Sequence, residues 1–278
     1  MATGYQELSR AISQIQMTTT GRLSFGDLTR QLLFITMIAY VILFFCFALI
    51  VAASGTSGTN GFSALTILLI IAMFIGAFTL MVIYIVLGAR RCHDCGLPGF
   101  YQLIFLVPYA GPMLHMCLLA SDPVPMGEGY GEANSKQPRL QCTKLKEAIR
   151  SLKPTTRGRL SFEQFSRAEV CLYCVSFVAM FVLMIFGYIA TLFMAIIMAG
   201  ANQMSESSIL FTIAPISILL FILLAALMVI QFSLMIRRLH DTNRSGKNLL
   251  WCLLPIIGFF IPMVQCLADS DFQNQYDA

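Results

Sequence analysis

The sequence predicts an all-α polytopic membrane protein made of two homologous copies of one unit. Three observations predict it: apolar runs of twenty or more residues, a polar motif that occurs twice, and basic residues that avoid one set of loops. The 278 residues are 58% hydrophobic and 12% charged, with mean hydropathy +0.77. A soluble chain carries roughly 25% charged residues; half of that, with runs of this length, excludes the soluble globular classes.

The repeat is read from two sets of matches. Gly21-Arg22-Leu23-Ser24-Phe25 returns as Gly158-Arg159-Leu160-Ser161-Phe162, Thr18-Thr19 as Thr155-Thr156, and Arg30 as Arg167. At the same offset of 137, Leu8, Ala11, Ile12 and Ile15 fall on Leu145, Ala148, Ile149 and Leu152. That spacing puts an apolar stripe on one side of a short amphipathic helix in each copy. Beyond the first apolar run the offset becomes 147, carrying Arg90-Arg91-Cys92-His93-Asp94 onto Arg237-Arg238-Leu239-His240-Asp241, Gly99 onto Gly246, Pro108 onto Pro255 and Gly111 onto Gly258. The copies are placed at 1–130 and 142–278, with a linker at 131–141.

In chain order, each copy opens with the amphipathic helix and the turn Thr-Thr-x-Gly-Arg. Ser24 with Asp27, and Ser161 with Gln164, have the spacing of a helix N-cap and its reciprocal partner. Apolar segments follow at about 31–53, 64–89, 100–120, 170–200, 209–236 and 249–268. The first two in each copy can cross roughly 30 Å of hydrocarbon. Residues 170–200 exceed the need and must tilt or project, and Pro215 is expected near the start of its helix, where a missing N–H costs little. The third segment of each copy is broken, by Pro108 and Gly111 in one and Pro255 and Gly258 in the other. It is either re-entrant or a kinked third span, which would give six spans in total.

Basic residues favour the re-entrant form. With six spans, Arg10, Arg22, Arg30, Arg90 and Arg91 share the N-terminal side and the rest of the 18 Lys and Arg lie opposite. With four spans, only 54–63 and 201–208 lie outside, and neither contains Lys or Arg; the positive-inside rule selects this arrangement. Residues 1–30 hold Glu7, Arg10, Arg22, Asp27 and Arg30 without an apolar core, so the first apolar run is expected to be an uncleaved anchor.

The candidate polar cluster is Arg22, Arg90, Arg91, His93 and Asp94 with Arg159, Arg237, Arg238, His240 and Asp241. The Arg pairs, at helix C-termini, are expected to offset the helix dipole and reach lipid phosphates. Asp94 and Asp241 are expected to fix the tautomer of the adjacent His or to pair with Arg22 and Arg159, in a structural lock; a titrating role for His93 and His240 is the alternative. Cys92-His93-Asp94-Cys95 resembles a zinc half-site, but Leu239 and Thr242 replace its cysteines in the second copy and no second ligand pair stands nearby, so no metal or cofactor is expected. Most of the nine cysteines lie inside apolar runs and the others in basic loops assigned to the reducing side, which argues against disulfides.

Apart from Glu169, at an edge, the apolar runs hold no acidic residue, which weighs against ion-coupled transport. Phosphate-loop and hydrolase motifs are absent, so enzymatic chemistry has no positive sign. Lys136, Arg139, Lys144, Lys146, Arg150, Lys153, Arg157 and Arg159, without aromatic interleaving, point to anionic lipid headgroups at the cytoplasmic face rather than nucleic acid.

Gly-Arg-Leu-Ser, the run Arg237-Arg238-Leu239-His240-Asp241-Thr242-Asn243-Arg244-Ser245-Gly246 followed by Trp251, and an apolar Pro-x-x-Gly segment resemble the bacterial inner-membrane family called domain of unknown function 805. The resemblance covers nearly the whole chain as a tandem pair. The first copy departs from it at Cys92, Cys95, Leu97 and Pro98, so it has no residue matching Arg244. What the resemblance implies is a multi-pass protein of the bacterial inner membrane, with no activity attached.

The leading expectation is a non-enzymatic scaffold or accessory/sensory membrane component, with a membrane protein or a second copy of the chain as partner. A small-solute or ion pathway formed by the broken third segments comes second, and a membrane enzyme using the His-Asp pairs third. The four-span topology is testable. Reporters fused after residue 130 and at Ala278 should both read cytoplasmic, and impermeant thiol reagents should reach cysteines introduced near Gly58 or Ser205. Labelling near Lys144 from the same side refutes it.

Overall fold

Four long helices carry the fold of this computed structural model, which describes residues 4–56, 64–107, 111–125, 142–201, 206–254, 258 and 260–271. The elements are α1 (Gln6–Ser13), α2 (Phe25–Thr56), α3 (Ala64–Asp94), α4 (Gly111–Leu119), α5 (Thr143–Ser151), α6 (Phe162–Ala201), α7 (Glu206–Asp241) and α8 (Phe260–Cys266), with 3-10 helices at Gly99–Leu106 and Gly246–Leu253. Helices α1 and α5 are the expected amphipathic pair. Pro108, Pro255 and the linker 131–141 lie outside the described residues.

Helices α2, α3, α6 and α7 are long and apolar enough to cross a membrane. At 1.5 Å per residue they measure about 45–60 Å, so their ends stand clear of the hydrocarbon. Their outer faces expose Phe45, Phe74, Phe78, Phe186 and Phe221 by more than 60% each. Only lipid can cover so much contiguous apolar surface, and the chain is a multi-pass membrane protein. Pro215 lies inside α7 rather than in its first turn. A hydrophobic run begins farther from the helix start than the helix itself does, because Glu206, Ser207 and Ser208 are also helical.

Both α2 and α6 begin at the predicted caps. Ser24 Oγ accepts from the Asp27 N–H (3.1 Å) and donates to the Asp27 carboxylate (2.8 Å). Ser161 and Gln164 make the full reciprocal pair, each side chain accepting from the other's backbone N–H at 3.4 Å.

The broken third segment is the re-entrant alternative, and the kinked full span is excluded. It consists of an eight-residue 3-10 helix and then a short α-helix of nine residues in the first copy and seven in the second. It leaves from the C-terminal end of α3 or α7 and returns there: Val124 N donates to Asp94 O, and Asp271 N to Asp241 O, both at 2.9 Å. The reversal is tight enough to require glycine. A Cβ on Gly111 would stand 2.4 Å from Ile104 O, and one on Gly258 1.8 Å from Trp251 O. Both copies therefore face the same way, and the inverted repeat that a third span would have produced does not form.

The copies meet at this polar end through α2, α4 and α6, where Cys117 Sγ lies 3.6 Å from Cys174 Sγ. Mild oxidation in membranes should join this pair, which no sequence argument against disulfides anticipates. After cleavage at a protease site introduced between residues 131 and 141, the two halves should run as one species until reduced. Complete separation before reduction overturns the packing of α4 on α6.

Candidate functional site

The repeated motif ends a helix before it does anything else. Gly96 and Asn243 have φ of 76° and 57°, the left-handed conformation that closes a helix C-terminus. Leu97 N donates to Cys92 O and Gly96 N to His93 O, and Arg244 N and Asn243 N repeat both bonds to Leu239 O and His240 O. Capping fixes the direction of the last turn, so the two arginines, the His and the Asp each point at a different neighbour.

The second arginine of each pair is the most enclosed group. Arg91 and Arg238 are both 0% exposed. Arg91 Nε donates to Leu119 O (2.8 Å), and its terminal nitrogens to Ser121 O and to the Asp94 carboxylate. Arg238 does the same toward Cys266 O (2.9 Å), Ala268 O and Asp241. These carbonyls end the returning third segment, where a short helix leaves acceptors without partners; one guanidinium, with five donors, satisfies them.

The first arginine holds the amphipathic helix. Arg90 donates to Gln14 O (3.4 Å) just past α1, and Arg237 to Ser151 O (2.8 Å) at the end of α5. The expected reach of the Arg pairs to lipid phosphates is thereby corrected: their donors face carbonyls inside the fold. Burial of Arg91 with Asp94, and of Arg238 with Asp241, is tolerable only because each guanidinium meets both carbonyls and a carboxylate.

Asp94 and Asp241 pair with Arg22 and Arg159, at 2.9 and 3.1 Å. Of the two roles expected for these carboxylates, this is the one found. The imidazoles bond elsewhere, His93 with the backbone of Gly21 and His240 with that of Gly158. Both glycines have positive φ, 92° and 87°, a conformation that costs other residues about 1 kcal/mol or more. The Gly-Arg turn thus offers backbone to His and a guanidinium to Asp from adjacent residues, and all ten polar residues form two matching clusters.

Side chains not singled out by sequence join the two clusters. The Phe25 ring has Arg91 5.7 Å from its centroid and, from the other copy, Arg167 at 5.0 Å. Phe162 has Arg238 at 5.4 Å and Arg30 at 4.3 Å. Each copy also caps the other. Asp122 accepts from Thr143 N (2.9 Å) and Lys144 N (3.2 Å) at the start of α5, and Asp269 accepts from Gln6 N (2.8 Å) and Glu7 N (3.1 Å) at the start of α1. The offset of 147 that relates the motifs also relates Asp122 to Asp269, a signal available in the sequence. Arg244 reaches across to Tyr5, donating to its hydroxyl at 3.3 Å. The contacts define a pseudo-twofold axis through the polar end.

Two groups of polar side chains break that symmetry. In the first copy Tyr84 Oη lies 2.9 Å from His115 Nδ1, and His115 Nε2 lies 2.7 Å from Gln102 Oε1. Because Gln102 Oε1 can only accept, His115 Nε2 donates to it and Nδ1 accepts a hydrogen bond from the Tyr84 hydroxyl. In the second copy Gln231 Nε2 donates to Glu169 Oε1 at 2.9 Å. Glu169, expected at the edge of an apolar run, lies two turns inside α6 because that helix starts at Phe162.

Among the described residues, no three His, Cys, Asp or Glu side chains are arranged to hold a metal ion. Cys92 and Cys95 are both buried, with Sγ atoms directed at Gln102 Oε1 and Leu118 O, and burial pushes the Cys95 thiol up. The arrangement is a set of ion pairs and carbonyl clamps that join helix ends.

Two successive stretches, residues 18–132 and 156–278, match the model of a family described as Protein of unknown function (DUF805). No curated protein and no solved structure matches the chain. The family matches cover both Gly-Arg turns, both Arg-Arg-x-His-Asp helix ends and both returning segments, and the chain belongs to the DUF805 family as a tandem pair of its unit.

Proposed function

We propose that the chain is a non-enzymatic scaffold or accessory component of the bacterial inner membrane. Its two repeats form a joined platform on the cytoplasmic side. The observation that carries this reading is the fate of the polar motif: Arg91, Arg238, Asp94 and Asp241 are buried and bonded to helix ends and returning segments. Groups used in this way set the relative position of six chain segments, which is what a platform requires and what a turnover site, with its need for access, does not.

Exposed positive charge gathers on α5 and the turn after it. Lys144, Lys146, Arg150, Lys153 and Arg157 are exposed there, beside Ile149 at 57% exposure. A helix with an apolar residue among solvated cations suits the headgroup layer of an anionic membrane. Anionic lipid is therefore the partner assigned to α5, and a membrane protein or a second copy of the chain the partner assigned to the platform.

Arg238→Ala should lower stability by about 3–5 kcal/mol, the usual consequence of leaving a buried partner charge uncompensated. Asp241→Ala should act in the same direction, and both should reduce the amount of protein recovered from membranes. The check is thermal unfolding of purified protein in detergent. A His240→Ala variant that stays as stable as the parent while abolishing a measurable turnover sinks the scaffold reading in favour of an enzyme.

Added phosphatidylglycerol should raise the unfolding temperature of the parent. It should fail to do so for a variant with Lys144, Lys146, Arg150 and Lys153 all changed to Gln. An equal rise in both proteins removes α5 as the headgroup contact.

A further inference from the structure

Between the two repeats lies a cavity of about 430 Å³, walled by α2 and α4 of the first copy and by α6, α7 and α8 of the second. Its size is that of small-molecule sites, which run from about 300 to 1,000 Å³ and are mostly apolar with a few convergent polar groups. Phe25, Phe165, Met116 and Met235 are typical of its wall. Among the described residues, Glu169 is the only acidic or basic residue in the wall.

Among the polar groups of the wall, the Glu169 carboxylate is the acidic acceptor. Thr29 and Ser166 direct their hydroxyls to the carbonyls of Phe25 and Phe162 in their own helices, both at 2.8 Å. Gln231 donates to one oxygen of Glu169. Among the described residues no Lys, Arg or His lies within ion-pair distance of Glu169, although this end of the molecule is rich in arginine. The fold does not need an acid here. The position matching Glu169 in the first copy is Leu32, also in the wall, and the one matching Gln231 is Tyr84.

A carboxylate in an apolar enclosure is costly unless it takes up a proton or a cation meets it. A cation that enters such an enclosure must itself be largely apolar. Polarizable methionines and the rings of Phe165 and Tyr173 suit that kind of guest, since thioethers adapt to shape and ring faces attract positive charge, while Phe25 and Phe162 already carry arginines. We propose that the cavity between the repeats is a binding site for a lipophilic cation, with Glu169 as its counter-charge and Gln231 holding the carboxylate in place. This goes beyond the scaffold reading and does not depend on it. It assigns a chemical class of ligand to a place that the repeated motif does not occupy.

The test uses full-length protein purified in a non-ionic detergent and two probes of the same shape and opposite charge, tetraphenylphosphonium and tetraphenylborate, followed by equilibrium dialysis. The parent should bind the phosphonium saturably and at least tenfold more tightly than the borate. Glu169→Gln, which keeps the shape and the contact with Gln231, should weaken phosphonium binding at least tenfold. Met235→Trp should abolish it by filling the space. Equal binding of the two probes by the parent overturns the proposal even if neither variant can be purified. So does an unchanged phosphonium affinity in Glu169→Gln, or no saturable binding at all.

Discussion

A guanidinium placed where two backbone ends converge is the interaction on which the architecture depends. A re-entrant segment presents the membrane boundary with a specific difficulty. Its short helix ends with carbonyls that have no partners, and water cannot reach all of them. In each copy an arginine from the last turn of a spanning helix reaches these carbonyls, Arg91 those of Leu119 and Ser121, Arg238 those of Cys266 and Ala268. Asp94 and Asp241 then offset the charge this brings inside, while Arg22 and Arg159 tie the same carboxylates to the start of the preceding spanning helix, α2 or α6. A lysine could not replace the arginine, since a compact ammonium cannot direct donors at two carbonyls and a carboxylate in one plane.

The exchange of Asp122 and Asp269 between copies changes what the duplication means physically. The amphipathic helix of each half receives its N-terminal cap from the other half, and a carboxylate at a helix N-terminus typically contributes about 0.5–2 kcal/mol through the cap and the dipole together. The Phe25 and Phe162 rings, each with an arginine from either copy, add a second reciprocal contact. This is the pattern of an isologous dimer interface, in which the same patch serves both partners, contained here within one polypeptide. Neither half is complete without the other at the polar end.

The spans, the repeat and the return of the third segment were legible because each rests on a pattern one residue type can carry: apolar runs, equal spacing, and lysine and arginine confined to one side. The polar clusters were legible as membership but not as contact. Arg91 and Arg238 read as lipid-facing because an arginine at a helix end next to hydrocarbon usually is, and nothing local marks the carbonyls that come back to meet them from nearly thirty residues away. The 3-10 form of Gly99–Leu106 and Gly246–Leu253 left no periodicity to find in eight residues. Cross-copy contacts such as Asp122 with α5 depend on how two units dock, and a spacing along one chain does not encode that.

Symmetry is kept at one end of the molecule and lost away from it. Near the polar end every buried charge has its counterpart at the equivalent position, because an unmatched ion there would be left uncompensated. Further along α2, α6, α3 and α7, the first copy has Leu32 and Tyr84 where the second has Glu169 and Gln231. There the first copy uses a closed hydrogen-bonded relay, Tyr84 to His115 to Gln102, with every member bonded to another. In the second copy the matching positions of His115 and Gln102 are Pro262 and Leu249, which can supply no such relay, and the polar pair turns instead toward the space between the repeats. Lipid-facing and inter-repeat positions along these helices tolerate different apolar residues at small cost, so an acid at one of them is not explained by a relaxed packing constraint. Its presence in one copy and absence from the other separates the part of the fold that holds the halves together from the part that is free to carry a ligand.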